Sequence, residues 1–465
     1  MPGMAQLLLL QIVTTAAERA GPVHVSGVNV TRLNISSFDG TRLPAVLMVP
    51  TTATREVPAA WPGLIMSNSW FIDSDVEYYT VQHAWAGLGI ASLSYESRGW
   101  DGAGGTIAMA GQVDWRDHRA VVDVLAAQQG VNASALGTLG VSLGAGLAVL
   151  GAAHDSRIKF AVSLSGWGNL TTALYGGDTA SAQWGSLLVS SGNKTGHESS
   201  ALKMRWQELL HHKNLSSVSR WSDTRSPLNY TEALCGSGRQ LPIFISNNAE
   251  DRLFKPDAAL YYREKLLAAG CRVHTMVNQG IHATAEIPAL LNESRVEKSP
   301  VWSTVLRWLE QWLVNGAIVR QDRPSMQMRR HSLLEPQPPY VELPRVIHSR
   351  FELLGRKNGA EDVFGRLRRH SLTPPAPISS PSQTLRYAPE NVSGLSAGVP
   401  FAGEIMQYYS DVPILVPLDK INADYAAVFL SDQLSPDARR LCGTPRVNLR
   451  VSAEAPRSLS ASTFT

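Results

Sequence analysis

The chain has 465 residues and only three cysteines, Cys235, Cys271 and Cys442. That number cannot build a disulfide framework, and the spacing fits no metal-ligand motif. Cys235 and Cys271 each precede an expected strand, which allows one bridge between them; buried thiols are the plainer reading. Long hydrophobic runs are also missing. No stretch reaches the roughly 18 apolar residues that a membrane-spanning helix needs. Charge is scarce and balanced, with 42 Lys and Arg against 39 Asp and Glu, a net +3. Such a balance gives no reason to expect a nucleic-acid partner. No metal and no organic cofactor is implied.

What is present includes nine Asn-x-Ser/Thr sequons, at Asn29, Asn34, Asn132, Asn169, Asn193, Asn214, Asn229, Asn292 and Asn391. Chance would give about three from this many asparagines, so the excess predicts a secreted or extracytoplasmic glycoprotein. Residues 1–20 read as a signal segment, with an apolar run at Leu7 to Val13 and small residues from Thr14 to Ala20, although no basic stretch precedes them.

The chain is long enough for two or three domains. Val23 to Phe38 alternates apolar and polar residues, Asp39-Gly40 makes a turn, and Arg42 to Val49 alternates again, as an antiparallel entry to a sheet does. Strands are then expected at Gly63 to Met66, Gly89 to Tyr95, Leu136 to Val141, Ile158 to Leu164, Leu241 to Ser246 and Arg272 to Val277. Helical spacing lies between them at Val76 to Leu88, Val113 to Gln128 and Lys255 to Ala269, and Ser303 to Val314 closes the series. Strands alternating with helices predict βαβ units on a mostly parallel sheet.

Between the strand at 158–164 and the next, residues of about 167–235 break the rhythm. Helical pieces at Ala182 to Val189 and Ala201 to His211 suggest a cap above the C-terminal edge of the sheet, where open α/β sheets bind ligands. Its tryptophans, Trp167, Trp184, Trp206 and Trp221, either line an apolar pocket or fill the cap's own core. Residues 317–383 are rich in Pro and Arg and read as a linker or insertion. They repeat Arg329-Arg330-His331-Ser332-Leu333 at Arg368 to Leu372. Residues 384–465 turn to short strands at Thr384 to Tyr387, Ile414 to Leu418, Tyr425 to Leu430 and Arg446 to Val451, as in part of a β-sandwich.

The chemistry centres on Gly140-Val141-Ser142-Leu143-Gly144. A short apolar strand leads in, and a small-residue helix with Ala145, Gly146, Ala148 and Gly151 leads out. That is the strand–turn–helix context of a G-x-S-x-G nucleophile elbow. A serine hydroxyl needs a base, and the base needs an orienting group, in the chain order Ser, Asp or Glu, His. Asp251 follows the strand at 241–246, with Glu250 as its neighbouring alternative. His282 follows the strand at 272–277, after Gly280. His274 lies within that strand, and His211-His212 reads as surface. The Leu143 backbone N–H is one expected oxyanion donor. The other is sought in Ser67-Asn68-Ser69-Trp70-Phe71, with the Trp70 backbone N–H favoured.

The runs Ser94-Tyr95-Glu96-Ser97-Arg98-Gly99-Trp100-Asp101-Gly102-Ala103-Gly104-Gly105, Gly140 to Gly144, Leu164-Ser165-Gly166-Trp167-Gly168 and Gly280-Ile281-His282-Ala283-Thr284-Ala285-Glu286 resemble the X-prolyl dipeptidyl-peptidase and cocaine esterase family of serine hydrolases. Cys442-Gly443-Thr444-Pro445-Arg446-Val447 is similar to that family's entry into a jelly roll. The resemblance implies an α/β-hydrolase domain over 21–316 with a helical cap, followed by a jelly roll that is incomplete over 384–465. It also implies catalysis by Ser142, Asp251 and His282 on small peptides after an X-Pro N-terminus. Small esters or amides are the alternative substrates, and an inactive or truncated binding protein is a third reading. Where family members often carry an oxyanion-binding tyrosine, this chain has Asn68-Ser69-Trp70.

Overall fold

The computed structural model describes residues 27–52, 60–70, 75–176, 180–236, 238–278 and 280–313, with short strands at 326–328, 341–342, 351–354, 365–369 and 429–431. The expected hairpin forms from β1 (Val28–Ser36) and β2 (Arg42–Pro50), paired antiparallel. It turns at Asp39-Gly40, where Gly40 takes a φ of +81° that a side chain would resist.

The chain then enters a mostly parallel sheet. It contains β3 (Trp61–Ser67), β4 (Ala91–Tyr95), β5 (Val131–Val141), β6 (Ile158–Leu164), β7 (Pro242–Asn248) and β8 (Arg272–Asn278), in the order β1-β2-β4-β3-β5-β6-β7-β8. Every residue of β3, β4 and β7 is buried, because helices cover both faces. One face packs α2 (Gln112–Ala126) and α9 (Pro256–Ala268), with Val121, Val122, Leu125, Tyr262 and Leu266 inside. The other packs α1 (Tyr79–Ala86), α10 (Ile287–Leu291) and α11 (Pro300–Leu313), where Trp85 meets Trp302 edge to face at 5.8 Å. Between β5 and β6 runs α3 (Leu143–His154), buried from Leu143 through Ala152. This is the α/β-hydrolase fold.

The cap joins β6 to β7. It holds α4 (Leu170–Leu174), α5 (Ala182–Thr195), α6 (Ser200–Leu210), α7 (Leu215–Asp223), a 3₁₀ turn at Pro227–Tyr230 and α8 (Thr231–Cys235). Only α5 and α6 were expected from spacing. In α7 the serines at 216, 217, 219 and 222 hide a periodicity that rests on Val218 and Trp221. Trp206 packs into the cap's own core with Leu209 and Val218. The Cys235 and Cys271 sulfurs are bonded, tying the end of α8 to the start of β8. Cys442 lies outside the described residues.

The sheet also gains β9 (Met326–Met328), parallel to β8, and β10 (Val341–Glu342), antiparallel to β9. Both fall in the segment read as a linker; the open edge of β8 offers them unpaired backbone groups. A separate three-stranded sheet is formed by β11 (Phe351–Leu354), β12 (Gly365–Arg369) and β13 (Phe429–Ser431). The strands expected at 384–387, 414–418 and 446–451 lie outside the described residues, as does the greater part of the expected jelly roll and the segment 1–20.

Two histidines are buried as structure. His118 on α2 bonds Thr138 through Nε2 at 3.1 Å, and His274 in β8 stacks on Phe244 at 4.8 Å. Burial lowers each from 6.5 to about 4. The unfolded chain therefore binds more protons than the folded one between these values, so their contribution to stability is lost as pH falls from about 6.5 to about 4. In His118→Gln, the guanidinium unfolding midpoint should fall less over that interval than in the wild type.

Candidate active site

Ser142 is held between β5 and α3 at φ +56° and ψ −115°, a region that non-glycine residues rarely occupy. The strain persists because the backbone around it is fixed on every side. The Ser142 N–H donates to the Leu164 carbonyl on β6 at 2.9 Å. A Cβ on Gly140 would stand 2.1 Å from the Gly144 carbonyl carbon, and one on Gly144 would stand 2.0 Å from the Ser67 carbonyl oxygen. Each outer residue of the motif must be glycine for α3 to cross β3 and β5 this closely.

His282 occupies the turn after β8. Its Nε2 lies 2.8 Å from Ser142 Oγ, and its Nδ1 lies 2.8 Å from Asp251 Oδ2. Asp251, in the loop after β7, is 2% exposed. Its other oxygen accepts the backbone N–H groups of Leu253 and Phe254 at 2.8 and 2.9 Å, which fixes the carboxylate's direction. The alternative Glu250 is exposed to solvent, while its N–H donates to the Gly280 carbonyl and so ties the two loops together. Phe254 and Trp184 meet the imidazole edge to face at 5.2 and 5.5 Å. Three side chains separated by up to 140 positions are thus joined in one hydrogen-bonded line. His274 lies away from it, in β8. His211 and His212 are exposed, and the His212 ring meets the Tyr175 hydroxyl at 2.8 Å.

Leu143 is the first residue of α3, so its N–H has no acceptor within the helix. In the loop after β3, the Ser69 N–H is taken by Glu77 Oε2 at 2.7 Å. The Trp70 indole N–H is taken by the cap, at Leu188 O and Ser191 Oγ. The expected donor, the Trp70 backbone N–H, belongs to this same loop, one residue past Ser69. The cap tryptophans divide as follows. Trp184 faces His282, Trp167 fills the space over Gly146 and packs on Phe254, Trp206 is cap core, and Trp221 lies under the Arg225 guanidinium at 4.0 Å.

Three buried acids close to these loops escaped the sequence reading. Glu286, four residues past His282, accepts from Ser165 Oγ, Ser246 Oγ and Asn248 Nδ2 at 3.2, 3.3 and 3.1 Å; burial raises its carboxyl above the usual range. Glu77 holds Ser69. Glu198, beside the cap helix α5, is 9% exposed and has neither carboxylate oxygen hydrogen-bonded among the described residues. Their signal in the sequence is weak, since an acidic residue amid apolar ones is as often a surface turn. Among the described residues no group of His, Cys, Asp and Glu is arranged to hold a metal ion. No described helix is long and apolar enough to cross a membrane.

A family model described as X-Pro dipeptidyl-peptidase (S15 family) matches residues 39–284. No curated protein matches. Among solved structures, a hyperthermophilic esterase from Pyrobaculum calidifontis aligns with a TM-score of 0.45 at 19% identity, covering 66% of this chain and 93% of that one. A 2,6-dihydroxy-pseudo-oxynicotine hydrolase aligns at 0.43 and 17% identity, covering 68% and 75%. An acylaminoacyl peptidase from Pyrococcus horikoshii aligns at 0.44 and 13% identity, covering 63% and 43%.

Gly144→Ala tests the packing of the elbow. The added methyl must push α3 from Ser67, so the variant should lose about 1–3 kcal/mol of stability. Ester hydrolysis should fall with it. Guanidinium unfolding and p-nitrophenyl butyrate turnover measure the two effects.

Proposed function

This chain belongs to the X-Pro dipeptidyl-peptidase (S15) family and is a serine hydrolase, and from that premise we propose that Ser142, His282 and Asp251 are its catalytic residues and that it removes X-Pro dipeptides from the free N-terminus of small peptides. The observation that carries the catalytic assignment is the line Ser142 Oγ, His282 Nε2, His282 Nδ1, Asp251 Oδ2, with both links at 2.8 Å. His282 takes the Ser142 proton as Oγ attacks the carbonyl carbon. Asp251 holds the imidazole in the tautomer that leaves Nε2 free to accept it. The oxyanion that forms is bound by the N–H groups of Leu143 and Trp70. The protonated imidazole passes its proton to the leaving amine, the C–N bond breaks, and water, activated by His282 in turn, releases the acyl group from Ser142.

Glu198 supports the dipeptidyl-peptidase reading. A dipeptide needs a counter-charge for its free ammonium about 7 Å from the scissile carbonyl, the reach of two extended residues. Glu198 is buried, and among the described residues neither carboxylate oxygen has a hydrogen-bond partner. It stands against Gly192 of α5, and a Cβ there would meet both Glu198 Oε1 at 2.6 Å and the Trp70 indole at 2.9 Å. Trp70 is the residue assigned here to the oxyanion through its backbone, and its indole and Glu198 both stand against Gly192, which supports placing Glu198 on the cap side of the same site. A carboxylesterase would have no use for such a charge. The Ser142–His282–Asp251 line speaks against an inactive binding protein. The nine sequons and the Cys235–Cys271 bond support an extracytoplasmic location.

Hydrolysis of Gly-Pro-p-nitroanilide and of p-nitrophenyl butyrate, measured side by side, tests the reading. The wild type should cleave the anilide. Ser142→Ala should lose at least about 10⁴-fold on both substrates. Glu198→Gln should lower the ratio of anilide to ester kcat/KM by about 10- to 100-fold, the worth of one charged hydrogen bond. Cleavage of the ester alone would make the protein an esterase.

A further inference from the structure

The loop after β3 and the elbow after β5 must hold two N–H groups at a fixed separation if both are to bind one oxyanion. Two adjacent buried residues that the mechanism does not use, Glu77 and Tyr78, fasten them together. The Tyr78 hydroxyl accepts the Val141 N–H at 2.9 Å and donates to the Ser67 carbonyl at 3.0 Å. One phenol therefore joins the last residue of β5 to the last residue of β3. Glu77 reaches the next peptides along. Its Oε2 accepts the Ser69 N–H at 2.7 Å, and its Oε1 lies 2.6 Å from Ser69 Oγ. Ser69 Oγ in turn lies 3.0 Å from the Val141 carbonyl oxygen. Val141, the residue before Ser142, is thus held at both its N–H and its C=O. Ser69, the residue before Trp70, is held at both its N–H and its hydroxyl.

Counting protons decides the state of Glu77. The Ser69 hydroxyl has one proton and two oxygen neighbours. With Glu77 ionised, that proton goes to the carboxylate, and the Val141 carbonyl loses its donor. With a proton on Oε1, Glu77 donates to Ser69 Oγ, the hydroxyl donates to Val141, and Oε2 still accepts the Ser69 N–H. Every group then has a partner. We propose that Glu77 is a positioning residue that works as a neutral acid, closing a proton chain through the Ser69 hydroxyl to the Val141 carbonyl and so fixing the oxyanion loop against the nucleophile elbow. This rests on the assignment of Leu143 and Trp70 as oxyanion donors. Burial agrees with it, pushing Glu77 up to about 8. The titratable group facing Glu77 is Tyr78, itself raised by burial and by Glu77. Asp75, two residues earlier, faces Arg32 at 3.8 Å. Ionisation breaks the chain, so the acid form is the active one and activity declines as pH rises through about 8.

The test is kcat and KM for p-nitrophenyl butyrate from about pH 5.5 to about pH 10. The wild type should lose kcat above about pH 8. Glu77→Gln mimics the neutral acid, since its amide N–H donates to Ser69 Oγ and its carbonyl accepts the Ser69 N–H. It should keep kcat within about threefold and lose the alkaline decline. Glu77→Leu should lose about 10- to 100-fold in kcat with KM little changed, because the tie matters once negative charge develops. An alkaline decline that survives in Glu77→Gln, or a Glu77→Gln as impaired as Glu77→Leu, would overturn the proposal, and so would a wild type with no decline. If Glu77→Leu does not fold, Glu77→Gln decides alone. Retained activity in Ser142→Ala would overturn the triad reading instead, whatever the Glu77 variants do.

Discussion

The structure depends on one close approach, the start of α3 against the end of β3. Gly144 comes so near the Ser67 carbonyl that no side chain fits between them, and Gly140 stands as close to Gly144. This contact forces the chain through a tight turn at Ser142, at φ +56°. The strain costs on the order of 1–3 kcal/mol and is held by the surrounding sheet. Its return is geometric. The Ser142 hydroxyl is brought within 2.8 Å of His282 Nε2.

The sheet order makes the rest of the site follow. β5 lies between β3 and β6, so loops from both neighbours border Ser142. β7 and β8 pair in parallel, with Asn248 opposite Asn278, so their C-terminal loops leave the sheet side by side. One carries Asp251 and the other His282. Glu286 binds the far end of the His282 turn to side chains of β7 and to Ser165 beyond β6, and Trp302 of α11 donates to the Glu286 carbonyl at 2.9 Å. His282 is thus set by a turn anchored at both ends, though nothing about that turn is regular secondary structure.

The legible parts of the sequence were those whose signal is local. The alternation of β1 and β2, the apolar runs of β3 to β8 and the glycines of the elbow each state their structure within a dozen residues. Ser142, Asp251 and His282 were legible because each follows a strand at the edge where such folds keep their chemistry. The other helices of the cap were not. The apolar face of α7 is interrupted by serine, and α4 and α8 span only 5 residues each, too few to show a helical period. Glu77, Glu198 and Glu286 were illegible for a stronger reason. Nothing near an acidic residue in the sequence says that it is buried, or what it is buried against.

Four carboxyl groups lie around the site, and their surroundings separate their tasks. Asp251 receives two backbone N–H groups and the imidazole, all donors, which suits an acceptor. Glu286 likewise meets only donors, the two hydroxyls and the Asn248 amide. Glu77 differs, because the hydroxyl beside it is also needed by the Val141 carbonyl, and the set balances only if the acid brings a proton of its own. Glu198 has no hydrogen-bond donor among the described residues, and the charge acting on it is Lys203. The same side-chain chemistry therefore orients an imidazole, anchors a turn and ties a loop. The number of protons its neighbours can offer decides which.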